Sequence, residues 1–393
     1  MIKLYENKEL CYGCTACISV CPQNAIKMIP DEEGFFYPYI AEKICISCGA
    51  CVGICDKIKA TKKNGRSIAY AFQCNNTNIR RKSSSGGAFY LLATSMINKG
   101  GMVCGAVLDC QSFNVKHIIS NNPSDIERMM GSKYVQSDMG NCLNEVKKYV
   151  LNGYQVLFSG TGCQVAACRN VVGENDLLLT CEVLCHGTPS PLIWKQYINS
   201  VIEQYSSNIR DISFRSKNKG WHNFGMEIQF ENGTKQQETL DDNPFLCGFL
   251  RNLYLRPTCY DCKYASQERC SDICIGDFWG YNEAFSDIID DDTGISALIV
   301  STEKGKLALR DILKKAKIYP VSIQNMIPNN GPLRKSVDWP DNRNNFWMDF
   351  GSNNFDFVKK KYMYPKKYSF LQRLRKSRVG QLLRRIRNII RGR

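Results

Sequence analysis

Histidine is almost missing: His117, His186 and His222 are the three in 393 residues. That sets aside the imidazole-rich zinc enzymes. Long apolar runs are missing too. No segment reaches eighteen continuous apolar residues, so no membrane-spanning helix is expected. Residues 1–10 have no apolar centre followed by a small-residue cleavage site, so no export signal is expected and a cytoplasmic setting is. Acidic residues are absent from Phe357 to Arg393, where fourteen Lys or Arg stand; the remainder carries 38 basic and 37 acidic residues. The formal charge of +15 therefore belongs to the C-terminal tail.

What the chain has in excess is cysteine, twenty-one in all. A disulfide scaffold would be short and exported. In a long chain without an export signal, thiolates held by metal in a reducing compartment are the better expectation.

Eight of the cysteines form a repeat. Cys11-x2-Cys14-x2-Cys17-x3-Cys21-Pro22 is echoed by Cys45-x2-Cys48-x2-Cys51-x3-Cys55. In this run three cysteines grip three corners of one cubane and the fourth reaches the other cluster. The expected sets are Cys11, Cys14, Cys17 with Cys55, and Cys45, Cys48, Cys51 with Cys21. Small residues at Gly13, Ala16, Gly49 and Ala50 let backbone N–H groups approach the sulfurs. Asp56 stands where the first run has Pro22. Paired structural zinc sites are the alternative, and two complete runs of this spacing weigh against them.

Residues 1–60 thus read as a 2[4Fe–4S] ferredoxin-type module, and residues 61–67 as a polar linker. From 68 to 335 strand-like runs alternate with helical patterns, which argues an α/β domain with a mixed sheet in an α+β multidomain chain. Strands are expected at Ile68–Phe72, Met102–Leu108, Gln155–Ser159, Leu177–Cys185, Asp211–Phe214, Ile273–Phe278 and Ser296–Ser301. Helices are expected at Ala88–Asn98, Gly140–Leu151, Pro191–Tyr205 and Lys304–Ala316. Met226–Phe230 and Thr234–Thr239 form a hairpin turning at Asn232-Gly233.

Six phrases in the larger domain are recognisable together: Ser83–Phe89, Gly131–Ser137, Val156–Gln164, Cys185–Pro191, Phe214–Trp221 and Ser271–Gly280. With the dicluster module ahead of them, they resemble the coenzyme F420 hydrogenase/dehydrogenase beta-subunit family over roughly residues 1 to 335. The resemblance implies an oxidoreductase holding FAD and a further [4Fe–4S] cluster. It would move electrons between clusters and a two-electron carrier, coenzyme F420 or a related one.

The Gly-rich turn Ser85, Gly86, Gly87 opens a helix and so suits a pyrophosphate. An ordinary helix cap is the alternative, and the resemblance tips the reading to FAD. Gly160 and Thr161 are a second candidate contact, to phosphate or isoalloxazine, and Lys133 and Gln136 candidates for a charge and a hydrogen bond beside the ring, with a lysine on a solvated face as the alternative. Arg215, Lys219, Trp221 and His186 are substrate candidates, with a charged strand end and a hydrogen-bonded loop histidine as the alternatives. Spacing alone points to Cys259, Cys262, Cys270 and Cys274 as third-cluster ligands. The resemblance points to Cys163, Cys185, Cys259 and Cys262, with Cys181, Cys270 and Cys274 as alternates. No residue is assigned as catalytic acid or base.

The tail, residues 357–393, reads as a basic amphipathic helix fit for an anionic membrane surface or an acidic partner, with a packed terminal helix bearing a solvated face as the alternative. Nucleic acid is not expected, because no aromatic platform accompanies the charge. Partners are expected to be redox proteins: a ferredoxin, or a hydrogenase, dehydrogenase or synthase subunit. Two other readings stay open. One is reduction of a sugar or cell-envelope intermediate in polysaccharide biosynthesis; the other is a non-catalytic electron-carrier subunit.

Overall fold

The computed structural model describes residues 4–57, 67–281 and 288–364. All of the expected linker 61–67 but Ser67, and residues 365–393 of the expected tail, lie outside the described residues.

The N-terminal module is built on one hairpin, β1 (Ile26–Pro30) and β2 (Phe36–Ile40), paired antiparallel. Two four-residue helices, Ala16–Ser19 and Ala50–Gly53, follow the two cysteine loops. The repeat is visible in the backbone. Gly13 and Ser47 occupy equivalent places and both have positive φ (65° and 54°); so do Thr15 and Gly49 (62° and 76°). Each copy has kept a glycine at one of the two strained positions and a side chain at the other.

The larger domain is organised by a nine-stranded mixed sheet. Its strands are β3 (Ile68–Cys74), β4 (Met102–Leu108), β5 (Val115–Ser120), β6 (Ser137–Asp138), β7 (Val156–Thr161), β8 (Leu178–Val183), β12 (Ile273–Asp277), β13 (Ser296–Val300) and β14 (Ala316–Val321). The order is β14-β3-β13-β12-β8-β7-β4-β5-β6. The centre is parallel, with β12, β8, β7 and β4 in one direction; β13, β3, β14 and β5 are joined through antiparallel pairs. Central strands such as Leu178–Val183 are buried along nearly their whole length, which is why they read as continuous apolar runs. Helices Ala88–Asn98 and Gly162–Val172 pack on the sheet. β9 (Ile209–Ser216), β10 (Gly225–Phe230) and β11 (Lys235–Thr239) make a separate antiparallel sheet. It packs with helix Pro191–Tyr205 around Trp194, Tyr197 and Phe214. Among the described residues, no helix is long and apolar enough to cross a membrane.

Three expectations need correcting. The helix expected over Lys304–Ala316 ends at Ile312, because Ala316–Val321 is drawn out as an edge strand against β3. The helix expected from Gly140 begins at Cys142, since Gly140 has φ of 45°. The described part of the tail expected from Phe357 is packed: Val358 and Met363 are fully buried against Phe346 of the helix Arg343–Ser352. Residues up to Tyr364 therefore belong to the folded body.

That helix also holds the module in place. Arg343 forms a fork on the Glu33 carboxylate and lies over Trp339, 4.6 Å from the ring centre. Nearby, Ser190 Oγ donates to the Glu33 carbonyl at 2.5 Å.

Candidate redox centre

The module's two cysteine sets assemble as the repeat requires. Cys11, Cys14, Cys17 and Cys55 line one small cavity; Cys21, Cys45, Cys48 and Cys51 line another. Backbone N–H groups reach their sulfurs: Gly13 N to Cys11 Sγ at 3.4 Å, Ser47 N to Cys45 Sγ at 3.4 Å, and Ala25 N to Cys21 Sγ at 3.3 Å. Cys48 is exposed, so the second set lies at the surface. Burial pushes Cys17 up to about 12. A thiol held so firmly protonated becomes a ligand only when a cation displaces its proton.

A larger cavity of about 240 Å³ opens where the parallel strands end, the usual ligand position in such sheets. Four cysteines line it, and they come from three parts of the chain. Cys163 opens the helix after β7, and Cys185 follows β8 by two residues. Cys259 and Cys262 belong to and follow the short helix Pro257–Asp261. Cys185 feels the charges of the other three, and Cys163 those of Cys262 and Cys259. Burial pushes Cys259 up to about 11 and Cys163 and Cys185 higher. Among the described residues, no His/Cys/Asp/Glu group is tight enough for a single ion; a cubane spreads its ligands over four corners.

The alternates lie elsewhere. Cys181 and Cys274 sit inside β8 and β12, fully buried in the sheet. Cys270 is buried with its sulfur 3.8 Å from the Gly162 carbonyl. The run 259–262–270–274 is local in sequence, yet β12 carries Cys274 into the sheet and away from the loop.

The large cavity adjoins the first dicluster set. Tyr12 lines both, and Cys14 feels the charge of Cys163. Three side chains that the sequence did not single out join the two. Arg256 is buried and donates to the carbonyls of Cys11 (2.7 Å) and Phe36 (3.1 Å) and to Gln136 Oε1 (3.2 Å). Its guanidinium lies 4.1 Å from the Tyr37 ring centre. Tyr264 donates its hydroxyl to Asp56, and Lys263 pairs with the same carboxylate at 2.5 Å. The residue that departs from the repeat at Pro22 is thus the one that ties the module to the cavity loop. A cue for Arg256 existed in its position three residues before Cys259; nothing marked Tyr264.

The flavin candidates are dispersed. Thr161 lines the cavity, its Oγ1 3.2 Å from Cys163 Sγ. It also caps the helix Gly162–Val172 in a reciprocal box with Gln164. Gly160 is buried in β7. Gln136 sits against the module with Arg256. Ser85 donates to the Ile295 carbonyl at 2.6 Å, and Gly86 N donates to Ser296 Oγ at 2.8 Å. A Cβ at Gly86 would stand 2.2 Å from the Phe72 carbonyl oxygen, so close backbone contact alone requires this glycine. Gly87 begins helix Ala88–Asn98 with φ of 87° and no side-chain cap, leaving that helix's first N–H groups without intrahelical partners. Ser84 and Ser132 hydrogen-bond at 2.8 Å, which brings the Lys133 loop beside the turn. Lys133 Nζ donates to the carbonyls of Arg128 (2.7 Å) and Met130 (2.8 Å), and burial pushes it down to about 7.

The substrate candidates separate as well. His186 lines the cavity with Nε2 2.8 Å from Asn252 Oδ1, and burial lowers its pKa. Lys219 is exposed. Arg215 forms a fork on Asp277 (2.5 and 3.1 Å), to which Trp221 Nε1 also donates at 2.9 Å. Trp221 has no exposed surface and stacks on Trp279 at 4.4 Å. Arg215 and Trp221 therefore knit β9 to β12. Replacing Arg215 with Ala is expected to cost about 3–5 kcal/mol, the range for breaking a buried pair, in chemical unfolding. A weakened substrate affinity with unchanged stability would contradict this assignment.

Residues 10–57 match the family model described as 4Fe-4S dicluster domain. Residues 153–325 match the family model for the C terminus of the coenzyme F420 hydrogenase/dehydrogenase beta subunit. A chain of the F420-reducing [NiFe] hydrogenase complex from Methanosarcina barkeri, solved as a xenon derivative, is similar at 17% identity and a TM-score of 0.44, over 68% of this chain and 84% of that chain. Comparison with curated proteins gives no match. The chain is thus related, over residues 153–325, to the C terminus of the coenzyme F420 hydrogenase/dehydrogenase beta subunit, behind a 4Fe-4S dicluster domain at residues 10–57.

Proposed function

We propose that this chain is an iron–sulfur flavoprotein oxidoreductase that relays single electrons through three [4Fe–4S] sites to FAD, which exchanges electron pairs with coenzyme F420 or a related carrier. The observation that carries the reading is the convergence of Cys163, Cys185, Cys259 and Cys262 on one cavity adjoining the first dicluster set. Residues 1–60 act as the electron-entry domain and residues 68–335 as the flavin and iron–sulfur domain. The expected path begins at the exposed Cys48 set, where a redox partner protein docks, passes the Cys11 set, and reaches the cavity beyond Tyr12.

FAD supplies the step between single electrons and pairs. The cavity itself, at about 240 Å³, is below the ~300–1,000 Å³ usual for ligand pockets, which suits a cluster and not a dinucleotide. The pyrophosphate would instead lie at the start of helix Ala88–Asn98, where Gly87 leaves free N–H groups and Lys133 stands beside the turn.

Anaerobic purification tests the reading. About twelve irons and about one flavin per chain are expected, from three cubanes. Iron without flavin would leave an electron-carrier subunit, and a fluorescence assay of deazaflavin turnover decides whether coenzyme F420 is the carrier.

A further inference from the structure

The wall of the large cavity carries hydrogen-bond donors that have no acceptor among the described residues. Arg269 is 2% exposed, and its Nη1 donates to Glu182 Oε1 at 2.8 Å. Its Nε and Nη2 have no partner. Thr258 Oγ1, in a residue 1% exposed, has none, and the buried hydroxyl of Tyr12, which accepts from the Lys263 backbone, donates to none. All three residues line the cavity that Cys163, Cys185, Cys259 and Cys262 share. They come from separate segments of the chain. Buried donors without acceptors are rare, and a set of them lining one cavity with four cysteines points to an anionic occupant that accepts from them.

Backbone N–H groups reach sulfurs in all three sets, Thr188 N lying 3.4 Å from Cys259 Sγ, and Thr15 Oγ1 is an unpartnered donor at the first dicluster cavity. What sets the two dicluster cavities apart is that their lining side chains include no arginine. Hydrogen bonds to the sulfurs of a cluster favour its more negative, reduced state and raise its potential. Glu182 offsets the charge of Arg269, so what the guanidinium adds is chiefly two directed donor groups.

We infer that Arg269, with Thr258 and Tyr12, donates hydrogen bonds to the sulfurs of the cluster held by Cys163, Cys185, Cys259 and Cys262 and sets its potential above those of the dicluster. The inference rests on the proposed third cluster. Only a single electron moves between the sites, with no proton transferred and no bond made or broken. Electrons entering at the Cys48 side then run downhill into the body.

The test is a dye-mediated redox titration of the anaerobic holoprotein, read by electron paramagnetic resonance. In Arg269→Gln the third midpoint is expected to fall by at least about tenfold in electron partition, or 59 mV for one electron, with the other two unmoved. Because that variant leaves Glu182 buried beside a lost cation, the paired variant Arg269→Gln with Glu182→Gln is measured too. It should show a fall too, smaller by the part that the unmasked Glu182 charge adds in the single variant. Arg269→Lys, which keeps the charge and loses the planar fork, should recover only part of it. Twelve irons with an unmoved third midpoint in the paired variant would overturn this inference alone. Eight irons in the unaltered protein would overturn the third cluster with it.

Discussion

Cys185→Ala is expected to lower the iron content from about twelve to about eight per chain while the dicluster signals persist, since one cubane holds four irons. Cys185 feels the charges of Cys163, Cys259 and Cys262, so its loss opens one corner of a shared site. Cys270→Ala and Cys274→Ala are expected to keep all twelve irons, because those thiols lie outside the cavity, against the Gly162 carbonyl and inside β12. A drop to eight in those two, with Cys185→Ala unchanged, would restore the local run 259–262–270–274. Zinc in the purified protein would instead place a structural ion on the Cys259 and Cys262 pair.

The second large effect is expected at Arg256. Arg256→Ala removes three hydrogen bonds from a guanidinium 1% exposed and its stack on Tyr37. Hydrogen bonds from charged groups are worth about 1.5–3 kcal/mol each, and the losses share one side chain, so a total of about 3–5 kcal/mol is expected in chemical unfolding. The Cys11 loop would lose its anchor on the body, and electron transfer from the dicluster inward should slow by at least about tenfold, a barrier increase of about 1.4 kcal/mol. Stopped-flow reduction measures it. Arg256→Lys is expected to rescue little, because one ammonium cannot reproduce the fork to Cys11, Phe36 and Gln136. Unchanged rates in both variants would show that Arg256 serves packing only.

Much of this was legible in the sequence. The cysteine repeat carried the dicluster sets because its spacing is a local property of one loop. Ala88–Asn98 and Pro191–Tyr205 stood out as helices at their observed bounds, and β4 at Met102–Leu108 as a strand, because each is long and evenly patterned. β5 and β14 did not. Val115–Ser120 and Ala316–Val321 mix charged with apolar residues, and their strand character comes from the neighbour they pair with. The third cysteine set was also beyond spacing. Cys163 and Cys185 follow neighbouring strands, whereas Cys259 and Cys262 arrive from a loop some seventy residues later. Only the family resemblance gathered them. Arg215 and Trp221 were legible as substrate candidates with a charged strand end as the alternative, but not as partners of Asp277, which lies far along the chain.

The exposure of Cys48 has a chemical cost in air. On the proposed path, the side that admits electrons from a partner admits dioxygen as readily. Damage should therefore begin there, with the Cys21, Cys45, Cys48 and Cys51 set shedding iron first.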